Sequence, residues 1–410
     1  MKYRIIKNPL KYKLYEYVVM ILFIMATDSI WFRINVNPYN YYFIVVIASI
    51  LALLVLANLK IFTKKSGFKL VCLMLIGVLI AALINIDTNF FIFYKIALIV
   101  IGLYLFIKWN ISKIADIYVS VIVLIAIFSL LGVINSNFIL NNPIFPTLSD
   151  GEYGTKTAFF YNIRLGWDDI SYYRNQGPFW EPGAFQAYLN VGVFFIAFLL
   201  KRKHKQLEII ILSAAILSTF STTGIITLCL LFLTMMIESG KKAWGNKLLY
   251  FSLSCVVVGL CIFNNDINER LFDKFGDSTT SSISSETRKV SILINLKVIE
   301  QNPFIGMGIS KGSSLYSSIS TLNSTIDANV NTATSLFAWA IFGVMYAVLY
   351  TYSYIKIAVV SVNRWLSKFL LISVFFIILN TEDWTYSFWF NILPIYGLML
   401  LNFPKDKNKI

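Results

Sequence analysis

Residues 174–183 read Arg174-Asn175-Gln176-Gly177-Pro178-Phe179-Trp180-Glu181-Pro182-Gly183, and the chain then runs directly into the apolar stretch 183–200. A charged, turn-forming decapeptide joined to an apolar helix needs water or a polar ligand beside it in a membrane, because lipid offers its backbone and charges no partners. The decapeptide is therefore read as the floor of an active site. Arg174 presents a planar fork suited to phosphate, and Glu181 places a carboxylate at the mouth of a helix whose first position suits Pro182. Plainer roles compete: Glu181 can cap the helix dipole, worth about 0.3–1 kcal/mol, and Arg174 can snorkel to an interface.

The rest of the chain supplies the membrane. Of its 410 residues 58% are hydrophobic and 14% charged, and the mean hydropathy is +0.71, which excludes an ordinary soluble domain. Runs of about 20 apolar residues mark spans, and they fall near 14–31, 39–59, 68–86, 90–108, 114–134, 183–200, 206–220, 223–237, 248–264, 333–355, 369–380 and 387–403. The expected fold is all-α and integral to the membrane, with about twelve helices in a single polytopic domain. The basic start followed by a long apolar run reads as an uncleaved first span. Cys72, Cys229, Cys255 and Cys261 all lie in apolar runs, which implies neither a disulfide framework nor a thiolate metal site.

The net charge of +14 is placed rather than spread. Lys2, Arg4, Lys7, Lys60, Lys64, Lys108, Lys113, Lys201, Arg202, Lys241, Lys356, Arg364 and Lys405 fall in loops of one side, which the positive-inside rule makes cytoplasmic together with both termini. The charge is a topology signal, and no nucleic-acid partner is expected. Two long segments, 135–182 and 265–332, then emerge on the outer face, and long loops in compact proteins are usually functional or disordered. The first is rich in aromatic residues such as Phe159, Phe160, Tyr161, Trp167 and Trp180, which suit sugar rings or an interfacial belt. The second is Ser/Thr-rich at 278–285 and 313–325, where mobility is expected. Between them Ile292, Leu293, Leu296 and Ile299 recur at helical spacing opposite Arg288, Ser291 and Asn295, the pattern of an amphipathic helix on the membrane surface. The link Ser218-Thr219-Phe220-Ser221-Thr222-Thr223-Gly224 is a polar turn at membrane depth, which implies a cavity nearby.

The chemistry available outside is limited. His204, the one histidine, lies in the cytoplasmic cluster 201–205, so a histidine base is excluded, and no D-x-D pair suggests a metal. Neither metal nor cofactor is expected. Arginine does recur beside glycine-rich or flexible backbone, at Arg164, Arg174 and Arg288. A lipid diphosphate is the natural anion there, each charge-assisted hydrogen bond contributing about 1.5–3 kcal/mol.

The ordered set Arg174…Gly177-Pro178-Phe179-Trp180-Glu181-Pro182-Gly183, Ser218…Ser221-Thr222-Thr223-Gly224, and Arg288 followed by Asn302-Pro303-Phe304-Ile305-Gly306-Met307-Gly308 resembles the bacterial O-antigen and capsular polysaccharide polymerase and ligase family. The resemblance covers about residues 135–400. It implies a GT-C-like fold and a metal-independent, inverting glycosyltransferase in the bacterial plasma membrane. The donor and acceptor would be undecaprenyl-diphosphate-linked oligosaccharides, and a chain-length regulator and flippase of the same pathway are candidate partners. Arg174 and Arg288 would correspond to loop arginines that engage the diphosphate. Glu181 joins them as a catalytic candidate in a positioning role, and Arg164, Gly177, Trp180, Asn331 and Glu382 are candidates for substrate binding. Glu181 and Glu382 are also the candidates for general base, since burial raises a carboxyl pKa while nearby arginine opposes the rise.

Ligases of this family carry a histidine before the helix that here begins near Ala333, whereas this chain reads Asn329-Val330-Asn331-Thr332-Ala333-Thr334. That departure favours a polymerase over a ligase-type transferase. A flippase of lipid-linked oligosaccharides is the other alternative. It should place charges along a central path, and the in-span charges read here are Lys95 and Asp28, both close to the outer end.

Overall fold

Long apolar runs fold as helices over most of this chain. The computed structural model describes residues 12–32, 39–57, 66–149, 154–165, 174–239, 250, 252, 259, 280–322 and 331–400. In chain order they form α1 (Leu14–Met25), α2 (Tyr39–Ala57), α3 (Ser66–Ile84), α4 (Phe90–Lys108), α5 (Ile111–Ile134), α6 (Ser136–Asn141), β1 (Thr147–Ser149), β2 (Gly154–Thr157), β3 (Asn162–Arg164) and α7 (Pro182–Phe194), which continues as a π-helical turn over Phe195–Leu199. There follow α8 (Lys205–Ser218), α9 (Thr222–Glu238), α10 (Thr280–Gln301), α11 (Ile309–Leu322), α12 (Thr334–Ser361), α13 (Trp365–Leu379) and α14 (Phe388–Met399).

Six of these are long and apolar enough to cross a membrane: α2, α3, α4, α5, α7 with its π turn, and α12. The shorter apolar helices α1, α9, α13 and α14 accompany them. The chain is thus a multi-pass helical membrane protein. Each of the expected spans coincides with a helix except 248–264, which lies largely outside the described residues. α1 stops at Met25, short of residue 31, where Thr27 and Asp28 turn the chain.

Burial is arranged for a lipid environment. α2 turns Tyr42, Phe43, Val46, Ile50 and Leu53 outward, whereas α7 and α14 are buried along almost their whole length. Pro394 inside α14 has no N–H, so the Phe390 carbonyl four residues earlier lacks its helical partner. The hydroxyls of Tyr350 and Tyr354 on α12 donate to that oxygen at 3.2 and 2.6 Å. A second break is repaired in the same way. α12 kinks at Gly343 (φ +76°), and the carbonyls of Ala340 and Ile341 accept instead from Met307 and Gly308 at 2.8 and 3.0 Å. Val344 N–H in turn donates to Pro303 and Phe304, and Trp339 Nε1 to Pro303 at 2.7 Å. A Cβ on Gly306 would meet the Ile341 backbone, so only glycine permits this docking.

Both long segments contain more structure than the sequence suggests, and the all-α expectation needs one correction. The first contains a three-stranded antiparallel sheet, β1-β2-β3, with Thr147 opposite Lys156 and Thr155 opposite Arg164. Tyr161 and Ile163 pack it on Ile139 of α6. Trp167 lies outside the described residues. In the second segment, the Ser/Thr-rich stretches around 280–285 and 313–322 are helical rather than irregular, within α10 and α11. Asp87, in the α3–α4 link, accepts from the Ser310 hydroxyl at 2.7 Å and the Ser310 N–H at 3.0 Å, holding the first turn of α11. Burial opposes its ionisation, but these bonds and those from Asn89 and Ile309 N–H groups keep its pKa below the ordinary carboxylate value.

α10 buries a mixed face, Ser291 and Asn295 together with Ile294 and Val298, where an apolar face against the membrane surface was expected. Ser291 and Asn295 are fully buried, while Ile292, Leu293 and Leu296 are exposed; Ile299, expected among the latter, is buried. Lys297 and Glu300 are exposed beside these apolar side chains, so the outward side of α10 is mixed as well.

At the end of the bundle away from residues 174–183, Lys113 meets Glu16, and Arg202 meets Asp116 and Glu208. Glu16 and Asp116 are therefore further charges inside α1 and α5, near their starts, each with a cationic partner.

Candidate functional site

The decapeptide is anchored one residue at a time. Asn175 donates through Nδ2 to the hydroxyls of Ser129 on α5 and Ser218 on α8, at 3.0 and 2.9 Å, and accepts the Gly177 N–H at 3.0 Å. Gly177 is buried at φ +54°, packed on Phe185, so it sits as a turn residue beneath the site surface. Phe179 forms an isolated bridge with Ser29 and stacks on Tyr188 with ring centroids 4.5 Å apart. Trp180, half-buried, leans on Trp384 at 6.0 Å.

Arg174 holds the polar turn between α8 and α9. Its Nε donates to the Thr219 carbonyl at 3.0 Å and its Nη2 to the Phe220 carbonyl at 3.3 Å. Phe220 is left-handed (φ +49°), which leaves the end of α8 without a regular continuation. The guanidinium completes it, a structural duty that a snorkelling arginine would not have.

Glu181 is the N-cap of α7, with Pro182 in the first turn, yet its side chain makes no capping hydrogen bond. It is directed instead to Glu382, in the link between α13 and α14, and the two carboxyl groups are hydrogen-bonded to each other. Gly183 makes the approach possible: a Cβ there would collide with Glu382 Oε1 and touch Glu181 Oε1 at 3.8 Å. The backbone of Glu382 is fixed through Thr334, whose hydroxyl donates to the Glu382 carbonyl at 2.7 Å and accepts the Trp384 N–H at 2.7 Å. Burial, first, then the charge of Glu181 and the bond to it, push the Glu382 pKa well above the ordinary carboxylate value. Arg288 and Arg174 act on the same carboxyl in the opposite sense. Two arginines from separate segments, Arg174 in 135–182 and Arg288 in 265–332, thus act on one carboxyl group.

Arg288 differs from Arg174 in its Nε, which is buried with no hydrogen-bond partner among the described residues. Along the same face of α10, Ser291 and Asn295 donate to Asn331 Oδ1 at 3.1 and 2.9 Å, so Asn331 is a buried brace for α10 next to Arg288. Arg164 lies on β3, opposite Thr155, and is not one of the charges acting on Glu382.

Two buried charges hold the Glu382 link from below. Asp28 accepts from the hydroxyls of Tyr188 and Ser387, while Thr27 Oγ1 accepts the Phe388 N–H at 2.9 Å. Lys95 donates to the Thr385 carbonyl at 2.7 Å and to Asn391 Oδ1 at 2.6 Å. Among the described residues no three His, Cys, Asp or Glu side chains come together as a metal would require.

Sequence reasoning joined Arg174 and Arg288 through a shared diphosphate, and named Glu181 and Glu382 without pairing them. It missed Thr334, Trp384 and the inward polar residues of α10, for which the i, i+3, i+7 spacing of Arg288, Ser291 and Asn295 was the available signal. No protein-family model matches the chain, and no curated protein matches it either.

Proposed function

We propose that this protein is a polysaccharide polymerase of the O-antigen or capsule type, a metal-independent inverting glycosyltransferase of the bacterial plasma membrane. It moves a growing glycan from undecaprenyl diphosphate onto the next lipid-linked repeat unit at the outer face, with both termini cytoplasmic. The observation that carries the reading is that the charges of Arg174 and Arg288, from separate segments, both act on Glu382 of the Glu181–Glu382 pair. Negative charge builds on the bridging oxygen as the sugar departs, and fixed cations placed there beforehand lower the barrier without reorganising. Arg288 is the better suited of the two to meet the diphosphate, because its buried Nε is uncommitted among the described residues. Arg174, whose Nε and Nη2 are engaged by the α8–α9 turn, contributes its charge from a locked position.

The test is extension of lipid-linked repeat units by the purified protein, alongside the lengths of surface glycan in a deletion strain. Arg288→Ala is expected to abolish polymer at normal protein level, and Arg288→Lys to restore only part, since lysine keeps the charge but loses the fork. The deletion strain should carry single repeats. Normal-length polymer from Arg288→Ala, or accumulated long chains in the deletion strain, would overturn the polymerase reading.

A further inference from the structure

An acceptor hydroxyl must lose a proton when it attacks, and few groups here can take it. His204 is the N-cap of α8, whose other end is held by Arg174. That helix has 14 residues, so at 1.5 Å per residue the histidine lies roughly 20 Å from the site. Lys95 is tied to Thr385 and Asn391 below the link. The groups around Glu382 are Glu181, Arg174 and Arg288, with Asp383 next in sequence and Tyr316 within reach of the Asp383 charge. Two carboxyl groups in hydrogen-bonding contact cannot both be charged at low cost, so one proton is shared between them.

We propose that the Glu181–Glu382 pair is the proton acceptor of the transfer, with Glu382 holding the resident proton and Glu181 presenting the carboxylate. Glu382 is the more deeply buried of the two, and Glu181, half-buried at the mouth of α7, is the one an acceptor can reach. The inference rests on the polymerase reading. In the step, the acceptor oxygen forms its bond to the anomeric carbon, and the bond from that carbon to the diphosphate oxygen breaks with its electron pair going to the diphosphate. The hydroxyl proton passes to Glu181. The pair then holds two protons and releases one to water before the next cycle.

The experiment compares the wild-type protein with Glu181→Gln, Glu382→Gln and the double variant, reconstituted in lipid. Glutamine keeps the shape and can still hydrogen-bond the remaining acid, so folding is expected to survive. Extension of lipid-linked repeats should fall by about 10²–10⁴-fold in each single variant, with the double variant no worse than the singles. The wild-type rate should fall on acidification as the pair takes up its second proton, and this limb should vanish from the residual rates. Binding of undecaprenyl diphosphate alone should stay within about twofold, because the arginines are untouched. Retention of more than about a tenth of the rate by either variant would overturn the proton-acceptor role while leaving the polymerase reading intact. Wild-type protein that neither binds undecaprenyl diphosphate nor extends repeats would instead overturn the polymerase reading and this inference with it.

Discussion

Gly183→Ala isolates the carboxyl pair with one methyl group. Its added Cβ would collide with Glu382 Oε1, lie 3.1 Å from Glu382 Cδ and touch Glu181 Oε1 at 3.8 Å. The backbone at Gly183 is helical, so alanine itself is welcome there and contributes up to about 1 kcal/mol of helix propensity. Against that stands the loss of a buried carboxyl hydrogen bond, about 1–3 kcal/mol. The Glu382 backbone is fixed through Thr334, so its side chain has to swing away from Glu181. The net is a loss of up to about 2 kcal/mol, so the melting temperature in detergent should fall by no more than a few degrees, about 2–4 °C per kcal/mol for a chain of 150–250 residues and less here. Activity should fall by about 10²-fold or more, the share a positioned acid–base group supplies. Glu382→Asp, one methylene shorter, should restore part of the rate when combined with Gly183→Ala. Extension of lipid-linked repeats at the wild-type rate by Gly183→Ala alone would refute the pairing as a functional element.

The two arginines should separate by stability: Arg174→Ala removes two hydrogen bonds to the α8–α9 turn and should lower the thermal midpoint, whereas Arg288→Ala should leave it nearly unchanged, as thermal scans in detergent would check. Glu382 has a raised folded-state pKa, so its contribution is full below the ordinary carboxyl value of about 4.3 and is lost as pH rises through the folded value; midpoints should fall over that rise, and Glu382→Gln should flatten the trend. Asp87, with its lowered pKa, has the opposite sign, so Asp87→Asn should remove stability that the wild type has above the ordinary carboxyl range and loses on acidification. Reporter fusions after residues 150 and 280 should report the outside and those at 203 and 244 the cytoplasm; inversion at any two would sink the orientation.

Much of the fold was legible because hydrophobic length is a strong local signal. The runs at 39–59, 90–108 and 114–134 became α2, α4 and α5 with ends within a few residues. What escaped was set by partners far away in sequence. The Gly343 break in α12 is stable only because Met307 and Gly308 supply the missing donors, and no window around residue 343 contains them. The sheet at 147–164 escaped because its strands are three or four residues long, too short for alternation to stand out. Ser/Thr content misled at 313–322, where Asp87 holds the first turn of α11 from a different part of the chain.

The site shows the same division between chemistry and placement. Residue types announced the arginines and the acids, but composition could not say that Glu181 would forgo its capping bond for an acid far downstream in the chain. That choice follows from two local facts acting together. Gly183 leaves room above the first turn, and the Thr334 hydroxyl fixes the Glu382 backbone there through the Glu382 carbonyl and the Trp384 N–H. Beneath it, Asp28 and Lys95 hold the far side of the same link through Ser387 and Thr385. These two buried charges, Lys95 inside α4 and Asp28 just past the end of α1, would by themselves suggest a transport path, and each is consumed in holding one short link in place. Their burial is therefore explained by support of the Glu382 link, and a fixed link is what a carboxyl pair needs if it is to receive a proton at a defined point.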